Sequence, residues 1–135
     1  ASVFLFTGYL SEYDNPLEAS FRITDEKLSL YNFEKGQIEG VKRLIKNSFE
    51  NITETPADRI LHDARFDYLG RVDYIKLTEK LFREESAYGK AGPKDEWVKR
   101  QKALIQGHEF LTPTARMLRS LSKEEQEEEL TSTFR

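Results

Sequence analysis

Apolar and polar residues recur along the chain with the spacing of helices, and prolines mark where those helices begin. Pro16, Pro56, Pro93 and Pro113 each follow a residue suited to a helix N-cap, as Asn15-Pro16, Thr55-Pro56, Gly92-Pro93 and Thr112-Pro113. Proline is tolerated at the first helical position, where its missing N–H would lack an intrahelical partner anyway. Four helix starts are predicted at these points. After Asn15, PLEASFRITDEKLSLY keeps Leu17, Ser20, Ile23, Thr24, Leu28 and Tyr31 on one stripe, and Glu18 completes a capping box with Asn15. The next stretch, EKGQIEGVKRLIKNSF, repeats the spacing with Ile38, Val41, Leu44, Ile45 and Ser48. It predicts a second helix in spite of the low propensity of Gly36 and Gly40.

From Pro56, ADRILHDARFDYLG places Ile60, Ala64 and Tyr68 on one face, with Leu61 and Leu69 beside it, and Gly70 in the C′ position that favours glycine. On such a helix Asp63 and Asp67, four residues apart, point the same way. A fourth helix, DYIKLTEKLFREESAYG, carries Ile75, Thr78, Leu81, Phe82 and Glu85 and is broken by Gly89 and Gly92. A fifth carries Trp97, Gln101, Leu104, Ile105 and His108. The sixth, from Thr112, holds Ala115, Leu118 and Leu121 before SKEEQEEEL, so residues 124–135 are expected to form an exposed acidic helical end or to fray. No region alternates with period two for long, and the predicted class is all-α.

The start of the chain, ASVFLFTGYL, is different: Val3, Phe4, Leu5 and Phe6 are residues that favour burial on all sides. It reads as the end of a core helix that begins outside the chain. It lacks a basic n-region and is far shorter than the roughly 20 residues of a membrane span, so neither a signal peptide nor an anchor is expected.

Composition narrows the function classes. The 135 residues, 38% hydrophobic, are enough for one compact core, and residues 1–135 are expected to form a single domain. The 21 basic and 24 acidic residues are mixed along the chain, so no basic field attracts phosphate backbones and nucleic acid is not an expected partner. The lack of cysteine excludes disulfides, thiolate zinc sites and Cys nucleophiles, and agrees with a cytoplasmic location.

With two His and no Cys, the material for a nucleophilic triad is thin, and no G-x-S-x-G elbow, Walker loop or G-x-G-x-x-G fingerprint occurs. What remains is His62-Asp63 in ILHDARFDYLGR, since imidazole and carboxylate are both good ligands for divalent cations. Neighbours on a helix point about 100° apart, so a doublet reaches one ion only at a helix end or kink. The pattern puts this doublet in mid-helix. On spacing alone, His62 is a partly exposed helix residue and Asp63 a capping or ion-pair carboxylate.

Several blocks, in order along almost the whole chain, resemble small HD-superfamily phosphohydrolase domains. LHDARFDYLGR followed by VDY is similar to that family's D-A-D-L-D-Y-L-G-R segment. EWVKRQKALIQGHEFLTPTARMLR is similar to its E-W near Q-x-x-F-L followed by H-x-Y-F-T-x-x-A. ASVFLFTGYLSEYDNPLEAS resembles A-x-x-F-H-D-T-G-Y-x-x-x-Y-x-N-H-E-E-A-S. The resemblance implies an HD-domain-like helical bundle of about six helices, here without the family's N-terminal helix. It also implies a divalent metal held by a His on that upstream helix, a His-Asp doublet and a distant Asp.

Carried over by position, the doublet falls on Leu5 and Phe6, and the H-E that follows in many members falls on Pro16 and Leu17. The distant Asp alone survives, as Asp63, a vestigial or weak metal ligand, while His62 stands where the family is variable. No catalytic residue is assigned. The resemblance therefore implies a domain that has lost most of its metal ligands and serves as a non-catalytic binding or regulatory module with no cofactor. Its alternative is an active metal-dependent phosphohydrolase, acting on a nucleotide or small phosphoester with manganese, iron or magnesium. Asp67, Tyr68 and Arg71 match the D-Y-L-G-R block and His108 the C-terminal block; they are the candidates to line a former pocket, or equally to pack and pair. Trp97, with Leu104 and Phe110, reads as core. The partners expected are the protein's own upstream domain or another chain, a homodimer among them, with no membrane.

Overall fold

The computed structural model describes residues 1–135 and is all-α, as the spacing predicts, with seven helices, one short 3-10 helix and no strand. The helices are α1 (Pro16–Leu30), α2 (Lys35–Phe49), α3 (Pro56–Arg65), α4 (Tyr74–Ala87), α5 (Lys94–Gly107), α6 (Pro113–Leu118) and α7 (Lys123–Thr133). The chain forms two compact units, Ala1–Arg65 and Phe66–Arg135. No helix is long and apolar enough to cross a membrane.

In the first unit α1 packs on α2 and on the 3-10 helix Thr7–Leu10, and α2 packs on α3. Leu5, Ile45 and Leu61 form the buried centre, with Leu17, Phe21, Val41 and Phe49 around them. The opening segment is not the end of an α-helix. Its backbone bonds run from Phe4 to Ala1, Leu5 to Ser2, Thr7 to Phe4 and Tyr9 to Phe6, each spanning three residues. Three residues per turn eclipse every third side chain. Val3 and Phe6 therefore share an outward side, 78% and 46% exposed, while Leu5 turns inward.

Three of the four prolines stand at the first helical position; Pro93 is instead the residue before α5. The capping box expected between Asn15 and Glu18 does not form, because Asn15, at ψ 62°, lies outside the extended conformation from which an N-cap side chain reaches back. Unexpected boxes form instead at other helices, two of them at α2 and α3. Gln37 Oε1 accepts from the Glu34 N–H at 2.9 Å at the start of α2. At α3, Thr55 N–H donates to Asp58 Oδ2 at 2.9 Å while Asp58 N–H donates to Thr55 Oγ1 at 3.2 Å.

α3 stops at Arg65, short of the end that a C′ glycine at residue 70 predicted. Leu69 N–H turns back to Phe66 O across three residues, and Gly70, at φ +71°, closes the turn. Asp67 thus lies beyond the helix, and it does not share a helical face with Asp63 as the spacing predicted.

The second unit is built on Leu69, Tyr74, Ala91, Trp97, Ile105 and Leu130. Phe82, Trp97 and Phe134 interlock with ring centroids 4.8 to 5.2 Å apart, and α7 packs on both α4 and α5. The acidic stretch is therefore neither frayed nor merely exposed. Ser122 and Glu125 cap it reciprocally, with Glu125 N–H to Ser122 Oγ at 3.2 Å and Ser122 N–H to Glu125 Oε2 at 2.8 Å. Gln126, Leu130 and Phe134, four residues apart, turn toward the unit's interior, while Glu124, Glu125 and Glu128 are exposed.

Candidate functional site

The doublet that drew notice in the sequence sits on α3. Asp63 is 6% exposed and His62 is half-buried. Burial holds the His62 imidazole below its ordinary value of 6.5; the neighbouring Asp63 partly offsets this and Arg65 adds to it. Nowhere in the protein do three His, Asp or Glu side chains converge in a way that could hold a metal ion. At the positions aligned with the family doublet, Leu5 is 2% exposed within the apolar centre and Phe6 lies outward, its ring 6.2 Å from that of Tyr9.

Asp67 and Arg71 are brought together as a pair, the alternative to a pocket lining that the sequence left open, in a network completed by Asp73 and Arg119. Arg71 NH1 donates to Asp67 Oδ2 at 3.2 Å, and its Nε and NH2 grip both oxygens of Asp73 at 2.7 and 3.0 Å. These bonds hold the Asp73 carboxyl below the usual carboxylate range and raise the guanidinium of Arg71. From the other side Arg119 donates to the Asp67 carboxylate and, through Nε at 3.0 Å, to the Asp67 carbonyl. Asp67 and Asp73 each have a guanidinium partner, so the chemistry this network supports is cross-linking of the Phe66–Asp73 turn to the segment after α6.

Tyr68 stacks on Tyr74 with planes 10° apart, and burial pushes the Tyr74 hydroxyl up to about 12. His108 follows α5 as its C-cap, its backbone N–H bonded to Leu104 O at 2.9 Å. Its ring is buried between Phe66 and Phe110, at 4.8 and 4.6 Å.

The second unit holds a cleft of about 180 Å³. Its apolar wall is Leu69, Ile105, Phe110 and Leu121; its polar edge is Arg119, Lys123 and Glu109, with the buried Gln126 behind them. Of the four residues the resemblance proposed for a pocket, His108 lines this cleft, whereas Asp67, Tyr68 and Arg71 stand outside its lining. Gly70 and Gln126 brace it: Gly70 N–H donates to Gln126 Oε1 at 3.0 Å, and Gln126 Nε2 donates to the carbonyls of Leu121 and Ser122 at 3.2 Å each. Lys123 Nζ donates to Glu109 Oε1 at 2.7 Å and to Gln106 O at 2.9 Å. The sequence reading missed Arg119, Lys123 and Gln126. The signal that was available is Ser122-x-x-Glu125, a capping box that announces a helix inside the stretch read as a tail.

Comparison with protein-family models, with curated proteins and with solved structures finds no match for this chain.

Proposed function

We propose that the chain is an HD-phosphohydrolase-like domain that has lost most of its metal ligands and works as a non-catalytic binding or regulatory module. The observation that supports this most is Leu5. The residue aligned with the His of the doublet is 2% exposed and packs with Ile45 and Leu61. An aliphatic centre offers no nitrogen or oxygen to a divalent cation, whose ligands are imidazoles, carboxylates and carbonyls. Asp63 is then a carboxylate without its co-ligands. Activating water takes a metal fixed by about three protein ligands with one position left open.

The module's partner, on this reading, is a neighbouring domain of the same protein or another chain in the cytoplasm, a second copy included. Metal analysis of the purified protein, a thermal melt titrated with manganese and an assay with bis-p-nitrophenyl phosphate test it together. We expect no stoichiometric metal, an unmoved melting temperature and no hydrolysis. Tightly bound metal, or hydrolysis that disappears in Asp63→Ala, overturns the reading.

A further inference from the structure

We infer that the cleft of the second unit is a binding site for a small aromatic carboxylate, the ring lying on the apolar wall and the carboxylate meeting Lys123 and Arg119. Size comes first. The cleft, about 180 Å³, is comparable to an apolar cavity of about 150 Å³ that takes up benzene. Leu69, Ile105, Phe110 and Leu121 offer the ring only carbon. The polar group that braces the inside, the Gln126 amide, already has partners for both its oxygen and its nitrogen. Along the apolar wall a sugar or another polyol would lose water with hydrogen-bonding groups to meet only at the edge, whereas a ring does not carry that penalty.

The edge supplies direction. Lys123 spends two of its ammonium protons, on Glu109 and Gln106, and the third is left for a ligand. Arg119 uses three N–H groups, on the Asp67 carbonyl, the Asp67 carboxylate and the Leu118 carbonyl, fewer than a guanidinium carries. Glu109 is the carboxylate on the same edge, and it is 79% exposed at its side chain. An ion pair so exposed contributes little and yields readily to sharing its lysine. The edge carries two cations and one carboxylate, and each cation already has an acidic partner, Arg119 in Asp67 and Lys123 in Glu109, so no strong field draws an anion by charge alone. Binding therefore draws on ring burial combined with directed hydrogen bonds, and neither half of the ligand suffices alone.

This inference goes beyond the metal-free reading and does not depend on it. Manganese held at Asp63 would end that reading and leave the cleft untouched. The test is a titration of isotope-labelled protein with benzoate, followed by amide NMR, beside titrations with acetate and benzyl alcohol. Benzoate is expected to give saturable shifts at Gly70, Leu121, Lys123 and the Gln126 side chain, with about tenfold weaker effects from either half-ligand. Lys123→Gln should weaken benzoate about fivefold, while Lys99→Gln, which removes an exposed lysine outside the cleft, should leave it unchanged. Shifts that fail to saturate, that acetate or benzyl alcohol match, or that Lys123→Gln and Lys99→Gln alter alike overturn the assignment.

Discussion

Gly8 and Ser20 meet inside the first unit, the Gly8 N–H donating to the Ser20 hydroxyl at 2.9 Å. The Ser20 hydroxyl reaches on toward the Leu5 carbonyl at 3.5 Å. The approach is possible only for glycine: a Cβ on residue 8 would stand 1.8 Å from the Pro16 carbonyl oxygen. This junction is what turns Leu5 toward Ile45 and Leu61.

Gly8→Ala should therefore be severe for a single methyl group. The obstacle is backbone at the start of α1, which cannot swing aside as a side chain could, and we expect a loss of about 3 kcal/mol, the upper end for overpacking. Ser20→Ala should cost about 2 kcal/mol by leaving the buried Gly8 N–H unpaired. Urea unfolding followed by circular dichroism measures both. An unchanged midpoint in Gly8→Ala would show that the junction is looser than described.

Acid should weaken the first unit through Asp58. The Thr55 hydroxyl, the Asn47 amide and the Thr55 N–H all donate to this buried carboxylate and hold its pKa below the ordinary 3.8. A carboxyl whose folded pKa is depressed stabilises the fold above its unfolded pKa, and that stability is lost as pH falls through the folded value. Urea midpoints taken downward from pH 7 should thus fall below about pH 4. Asp58→Asn should start less stable at neutral pH and fall less steeply, and parallel curves for the two proteins would count against the assignment.

For α7 the expectation concerns a helix that composition makes look expendable. Leu130 is fully buried, and Leu130→Ala should cost about 3 kcal/mol; Ser122→Ala, which removes the cap, should cost about 1 kcal/mol. Trp97, the chain's one tryptophan and fully buried, reports the second unit without interference. Its emission should shift to longer wavelength on unfolding, at lower urea in both variants. Wild-type midpoints in both would mean that α7 frays.

Helix starts were legible because proline at the first helical position has few alternatives, and Pro16, Pro56 and Pro113 all stand there. Helix ends were less so. Tyr68 and Leu69 fit the periodicity of α3, yet a turn with a left-handed Gly70 buries Leu69 by another route, and periodicity cannot tell the two apart. In α7 the burial, not the helix, escaped: the inward stripe of Gln126, Leu130 and the partly buried Phe134 is diluted among glutamates, so average polarity hides it. The candidate site was harder still. Gly70 meets Gln126 across 56 residues and Asp67 meets Arg119 across 52, and no local pattern announces a partner at such distance.

Those long spans also order events during synthesis. Leu130 belongs to the centre that Leu69 and Tyr74 begin, so the second unit's earliest residues wait, apolar and uncovered, until α7 has cleared the ribosome. For that interval the nascent chain presents Phe66, Leu69 and Tyr74 to whatever chaperone attends the exit tunnel.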